Sequence, residues 1–298
     1  MTQPQFAKLI LVSSIALALA ACGSSSDDHH PETPPTTPPP PAATVGDVVA
    51  LTASNRLVSF DRATPATIRT NVLVTGLQSG ENLVGIDVRP ADGMLYGVGS
   101  TGRLYTLDAA TGAATNKSRL SADAADTTEP FTALAGTSFG VDFNPMADRL
   151  RIVSNTGQSL RINVDSGATT TDGSINGGAA NTAISASAYT NSFAGTGSTT
   201  LYGIDGANST LYTQNPPNDG TLAKPVPLGV TIGAANGFDI DARTNMGYMV
   251  ATVGGARNLY GVNLAATSAP TTLIGALGVT EDIRGIALRA IAAPVILG

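Results

Sequence analysis

The sequence predicts an all-β fold, a β-propeller of five antiparallel blades whose ring is closed by pairing of the N- and C-terminal segments. Three observations carry that expectation. A strand-rich unit recurs with a period of roughly 50 residues, the spacing of blade-built or solenoid architectures. Residues 83–115 and 138–170 align without a gap, so that Gly85/Gly140, Asp87/Asp142, Pro90/Pro145, Leu95/Leu150, Leu107/Ile162 and Gly112/Gly167 share one offset. The opening segment of the unit, G-[IVF]-D, is absent from the first repeat, and its Gly-Ile stands alone at the far end of the chain in IRGIAL, 283–288.

The chain opens on a leader. Residues 1–8 are short and weakly basic, and residues 9–20 form an apolar stretch too short for a comfortable membrane span, the pattern of an export signal. Leu19-Ala20-Ala21-Cys22 resembles the lipobox of bacterial lipoproteins, which makes 1–21 a lipoprotein signal peptide and Cys22 the lipidated first residue of the mature chain. Cys22 is the only cysteine and has no partner for an intramolecular disulfide. Several acyl chains on one residue anchor stably where a single chain does not, so a lipid bilayer is the first expected partner. Gly23 stands where an Asp would resemble an inner-membrane retention signal, pointing to the outer membrane.

Residues 22–46, rich in Ser and Pro, read as a flexible tether able to span on the order of 60 Å if extended. His29 and His30, beside Asp27 and Asp28, read as solvated polar residues of that arm. The propeller is expected over 47–290, with a tail at 291–298.

The first repeat, 47–75, supplies three apolar segments, and 283–288 supplies the missing fourth. The second and third repeats are the aligned pair. The fourth contains TTLYGIDGANSTLYTQNPPNDGTL (199–222), the fifth NGFDIDARTNMGYMVATVGGARNLYGVNL (236–264). LYGVGS, LRIVSN, LYGIDG and YMVATV are short aliphatic and β-branched runs bounded by turn residues, as strands of a meander should be. The third strands end on Asp61, Asp108, Asn163, Asn215 and Asn263, residues that accept hydrogen bonds from amides just downstream. Tyrosines in LY and GY pairs, such as Tyr96, Tyr105, Tyr212 and Tyr260, are expected to bury their rings between blades with the hydroxyl at an edge.

Composition excludes whole classes of function. A net charge of -6, with the 13 Arg scattered and Lys nearly missing, argues against nucleic acid, whose binding requires a cationic face. The predicted domain contains neither His nor Cys, which removes Ser-His-Asp and Cys-His chemistry and the usual zinc ligands. One constellation remains. Asp87, Asp142 and Asp239 occupy the same place in the innermost segment of three blades, where the blade closed by the two ends has Ala287 and 184–190 offers no acid. Asp241 follows two residues after Asp239. Two readings stay open: ligands of a hard cation such as Ca²⁺, or caps of the turn between the first and second strands. The long connections 121–137 and 172–187 belong on one rim, with Phe131 and Leu134 tucked against it.

TSFGVDFNPMADRLRIVSNTGQSLRIN, FAGTGSTTLYGID, TQNPPNDGTL and LVGIDVRP together resemble the bacterial secreted domain of unknown function 4394 across nearly all of 48–288. The resemblance implies an exported propeller-like domain attached to a surface or sorting signal, and it carries over no catalytic residue. The expectation is therefore a noncatalytic binding or surface-interaction module with an envelope or extracellular partner and no required cofactor. The alternative is a divalent-metal-dependent hydrolase resembling the lactonase propellers, with axial carboxylates holding the ion. Cys22→Ser is expected to release the protein from membranes while leaving its melting temperature unchanged, as fractionation and a thermal melt would show.

Overall fold

A computed structural model describes residues 44–289. The leader, Cys22, His29, His30, the tether to residue 43 and the tail lie outside the described residues. In chain order β1 (Val48–Thr52), β2 (Arg56–Phe60) and β3 (Ile68–Leu73) begin blade I. Blade II is β4 (Leu83–Val88), β5 (Leu95–Gly99), β6 (Arg103–Leu107) and β7 (Ala114–Arg119). The two-residue β8 (Ser121–Ala122) precedes blade III, made of β9 (Phe139–Asn144), β10 (Arg149–Ser154), β11 (Ser159–Ile162) and β12 (Ala168–Thr171). Blade IV is β13 (Ile184–Tyr189), β14 (Leu201–Asp205), β15 (Thr210–Gln214) and β16 (Leu222–Pro227). Blade V is β17 (Asn236–Ile240), β18 (Gly247–Val253), β19 (Ala256–Val262) and β20 (Thr271–Ala276). β21 (Ile283–Leu288) then pairs antiparallel with β1, Val48 opposite Leu288 and Ala50 opposite Ile286, and completes blade I from the inside. The innermost strands β4, β9, β13, β17 and β21 neighbour one another in turn, closing a five-bladed propeller.

Burial falls off from the axis outward. Every residue of β1, β5, β13, β15 and β17 is buried, whereas the outermost β7 and β20 contain no buried residue at all. This explains why the inner segments read as continuous apolar runs: both faces of a blade are covered by neighbours. The apolar core is divided into five clusters, one at each junction between blades. Val49, Leu51 and Leu57 meet Leu83, Ile86 and Tyr105 between I and II. Tyr96, Val98 and Leu104 meet Phe139, Val141 and Phe143 between II and III, where the Tyr96 and Phe143 rings pack edge to face at 5.3 Å. Ile204 and Leu211 meet Phe238 and Met249 between IV and V, and Val250 and Leu259 meet Val48, Phe60 and Ile286 between V and I.

The III/IV cluster is the smallest, Val153 against Ile184, Tyr212 and Leu222. Polar contacts reinforce that junction. Arg151, 1% exposed, donates to Asp172 (2.5 Å), Ser159 (3.0 Å), the Tyr189 hydroxyl (3.3 Å) and, at 2.7 Å, to Asn218 of the 3-10 turn Pro217–Asp219 in blade IV. A buried guanidinium is tolerated because a carboxylate and three further acceptors replace its hydration.

The 121–137 connection departs from expectation in one respect. Its first residues pair parallel with β12, giving blade III a fifth strand. The Ser121 and Asp123 amides donate to the Gly167 and Thr169 carbonyls, so the connection covers an edge that would otherwise be open. Gly167 has φ +80° and a Cβ there would come within 1.9 Å of the Arg119 carbonyl oxygen, which is why glycine recurs at this offset. Phe131 and Leu134 pack against the II/III core as expected.

Deleting 283–298 removes the inner strand of blade I, including the buried Ile283, Ile286 and Ala287. The truncated protein is expected to melt more than about 10 °C below the full chain or not to fold, in a scanning calorimetry comparison, because an apolar edge is exposed on the axis.

Candidate functional site

At one level of the axis the inner strands β4, β9 and β17 approach their neighbours so closely that only glycine fits. A Cβ on Gly85 would lie 2.3 Å from the Val141 side chain, one on Gly140 2.4 Å from Ser187 Oγ, and one on Gly237 2.7 Å from the Gly285 backbone. Two residues further along, the same strands carry Asp87, Asp142 and Asp239, and the Ala188 and Ala287 positions complete the level. The three acids are 3%, 2% and 5% exposed, and each offers an oxygen within 4.8 Å of the other two. The structure brings together what the repeat offset placed in register.

Their hydrogen bonds run across the blade junctions. Phe143 N–H donates to Asp87 Oδ2 at 2.7 Å, Tyr189 N–H to Asp142 Oδ1 at 3.0 Å, and Leu288 N–H to Asp239 Oδ2 at 2.6 Å. In each case an acid takes the amide that follows the equivalent position of the next blade. Ala287 and Ala188 cannot do this for Val88 and Ile240, and there the local acid turns back: Val88 N–H donates to Asp87 Oδ1 at 2.7 Å and Ile240 N–H to Asp239 Oδ1 at 2.6 Å. Three carboxyls thereby satisfy one amide in each of the five inner strands. The turn-capping role expected of the acids falls two residues later, where Asn144 accepts from Met146 and Ala147, and Asp241 from Arg243 and Thr244.

Burial, and then the proximity of Asp239, pushes Asp87 well above the usual carboxylate range; Asp142 is raised by burial and by both neighbours. Burial raises Asp239 to about 7, against the opposing pull of the Leu288 and Ile240 amides. These are the residues that would hold a hard cation. Asp241 stands apart: β17 ends at Ile240, and the Asp241 carboxylate pairs with Arg62 at 2.6 Å, which together with its backbone donors keeps its pKa low despite burial.

Above the acids, on the face carrying the turns between first and second strands, lies a well of ≈ 460 Å³. Asp87 and Asp239 line its depth, and Arg62, Arg89, Arg243 and Arg289 its wall. Arg62 is held between Asp47 and Asp241 with Tyr248 beneath it, and Arg89 between Asp92, Asp148 and Asp165. Phe193, half exposed, stands at the lip, and Met94, Met146 and Met246 are exposed on the corresponding turns of blades II, III and V. Sequence reasoning missed this rim. A signal existed, since each apolar residue sits in a turn otherwise built of Pro, Gly, Ala and polar or charged residues.

The profile of the Domain of unknown function (DUF4394) matches residues 56–287, from β2 into β21. No curated protein matches the chain. Similar solved structures include a structural genomics protein of unknown function from Bacteroides thetaiotaomicron (15% identity, 80% of this chain, TM-score 0.44), of which this chain spans only 60%. A virginiamycin B lyase from Staphylococcus aureus (9%, 78% of this chain and 69% of that one, TM-score 0.41) and a chain of a nidogen/laminin complex (12%, 82% and 97%, TM-score 0.46) are also similar. At such identities the likenesses do not bear on activity. The match through all five blades establishes that this chain belongs to the DUF4394 family.

Proposed function

We propose that the protein is a noncatalytic binding module of the bacterial cell envelope, anchored through acylated Cys22, with the outer membrane as its site. The 22–46 tether holds the propeller off the bilayer, and an envelope or extracellular partner is taken on the face bearing the axial well. The observation that carries this reading is the well itself, a concavity on the axis lined by the half-exposed Phe193, with Met94 and Met146 exposed on the corresponding turns of blades II and III. The chain's chemistry supports binding rather than turnover, since Arg62 and Arg89 are already committed to carboxylates of the fold. Binding of purified envelope polysaccharide and of outer-membrane vesicles, compared between wild type and a Met94→Asp/Phe193→Asp variant, tests the reading. A loss of roughly tenfold or more is expected, with Ser100→Asp on the opposite face as the unaffected control. Equal binding by both variants would remove the well face as the contact surface.

The convergence of Asp87, Asp142 and Asp239 favours one second reading, the divalent-metal-dependent hydrolase. Two considerations weigh against it. The carboxyls already accept five amide hydrogen bonds, and a calcium ion requires about six to eight oxygen ligands. Millimolar calcium is therefore expected to leave the melting temperature unchanged. A calcium-induced rise that Asp87→Asn/Asp142→Asn/Asp239→Asn abolishes would shift the assignment to the metal enzyme.

A further inference from the structure

We propose a second binding site on the opposite face of the ring, a cup that takes a small organic monocarboxylate by seating its carboxylate between Arg284 and Ser187. This does not rest on the binding-module reading, which concerns the face bearing the well. The cup has a volume of ≈ 480 Å³, the size of a small-molecule site, and is bounded by blades I, II, III and V where the chain enters their inner strands. Adjoining it at the glycine level of the axis is a void of ≈ 10 Å³, about enough for a single water-sized group. Arg284 and Phe139 border both spaces, and Ser187 borders the void.

Arg284 reaches this place through a bulge. Leu51 pairs with Gly285 and Thr52 with Ile283, so Arg284 is an extra residue with no partner opposite, and a bulge of this kind re-aims the side chain it carries. The equivalent positions of blades II and IV, Val84 and Ser185, are bulged in the same way, so the bulge belongs to the fold and the guanidinium is particular to β21. The partner of Arg284 among the described residues is the Leu83 carbonyl, 3.1 Å from Nη1. No carboxylate of those residues neutralises it, in contrast to Arg62 and Arg89. Ser187 is 2% exposed, and its hydroxyl has no hydrogen-bond partner among the described residues. A buried hydroxyl left unmatched is costly, and a ligand oxygen in the adjoining void would match it. The approach of β21 to β4 leaves room there. A Cβ on Gly285 would meet no atom nearer than 3.7 Å, whereas those on Gly85, Gly140 and Gly237 would collide.

A guanidinium beside a hydroxyl specifies the charge of the ligand. A carboxylate oxygen in the void accepts from the Ser187 hydroxyl, and the other oxygen of the group accepts from the guanidinium donors that Leu83 does not use. A phosphoryl group carries nearly twice the charge and would be only half neutralised here. The acid in the wall, Asp282, is already paired with Arg257 at 2.5 Å, which limits its repulsion of an incoming anion. Val84, Phe139 and Ile283 line the cup with apolar surface, which suits an acid with an apolar body.

Titration calorimetry of the full chain with benzoate, benzamide and inorganic phosphate tests the site. Benzoate is expected to bind with a Kd of about 1 mM or tighter, and benzamide, of the same shape without the charge, roughly tenfold more weakly, as is phosphate. Arg284→Gln and Ser187→Ala are each expected to weaken benzoate binding by about tenfold. An Arg284 that serves only to hold β21 to β4 through Leu83 would instead lower the melting temperature of Arg284→Gln and leave benzoate affinity as it was. Should Arg284→Gln not fold, Ala234→Asp decides the matter. This position is exposed and lines the cup, so the added charge is expected to weaken benzoate binding by about fivefold with the melting temperature unchanged. A benzoate Kd weaker than about 10 mM, equal affinity for benzoate and benzamide, or benzoate affinity unmoved by these substitutions overturns the proposal.

Discussion

Five strands cannot be brought to a common axis unless their backbones nearly touch, and backbones that nearly touch leave amide groups without water. This constraint governs the centre of the protein. Glycine at 85, 140 and 237 permits the approach, and the acids at 87, 142 and 239 answer the amides it strands. An unsatisfied buried amide costs on the order of 1–3 kcal/mol, so five of them would consume much of a domain's net stability. The acids therefore have a structural use sufficient in itself to explain their presence. Their mutual proximity is a consequence of geometry, and with burial it makes them costly to charge.

Outward from the axis the blades are held by a different force. The five apolar clusters lie between blades, so each blade is stabilised by its neighbours more than by its own strands. Closure by β21 matters for this reason, since without it blades I and V would each lose a partner. Where the apolar contact is smallest, between III and IV, Arg151 supplies a polar substitute that reaches from β10 to Asn218. Such a bond is directional, and it fixes the relative position of two blades where oily contact alone would be permissive.

The well inherits its character from both layers. Its depth is acidic because the axis needs acceptors. Of the arginines in its wall, Arg62 and Arg89 are partnered by the fold's own carboxylates and Arg289 by the Val45 and Gly46 carbonyls. A ring of guanidinium groups would ordinarily invite anions, but the charge of Arg62 and Arg89 is spent within the molecule. What is left to a partner is shape and the apolar lip of Phe193 and the turn methionines.

Much of this was legible in the residues. The repeat offset, the strand runs and the orphaned IRGIAL determined five blades and their closure, because propeller blades are local meanders whose order follows the chain. The same offset placed Asp87, Asp142 and Asp239 at one level. The packing of Phe131 and Leu134 and the buried tyrosines with hydroxyls at an edge, Tyr96 on Asp92 and Tyr105 on Glu81, also followed from the pattern. Three things did not. That each acid accepts an amide from the adjoining blade, and that Asp241 belongs to Arg62, depends on contacts between residues 47 to 179 positions apart. The well and its apolar lip arise from turns of blades that meet only when the ring closes. The raised pKa values exist because packing excludes water and brings the carboxyls together, since an aspartate in an extended chain ionises freely whatever its neighbours in the repeat. Sequence determined which residues stand at the axis, and the tertiary structure decided what they are bonded to and how hard it is to charge them, because desolvation is a property of the assembled ring.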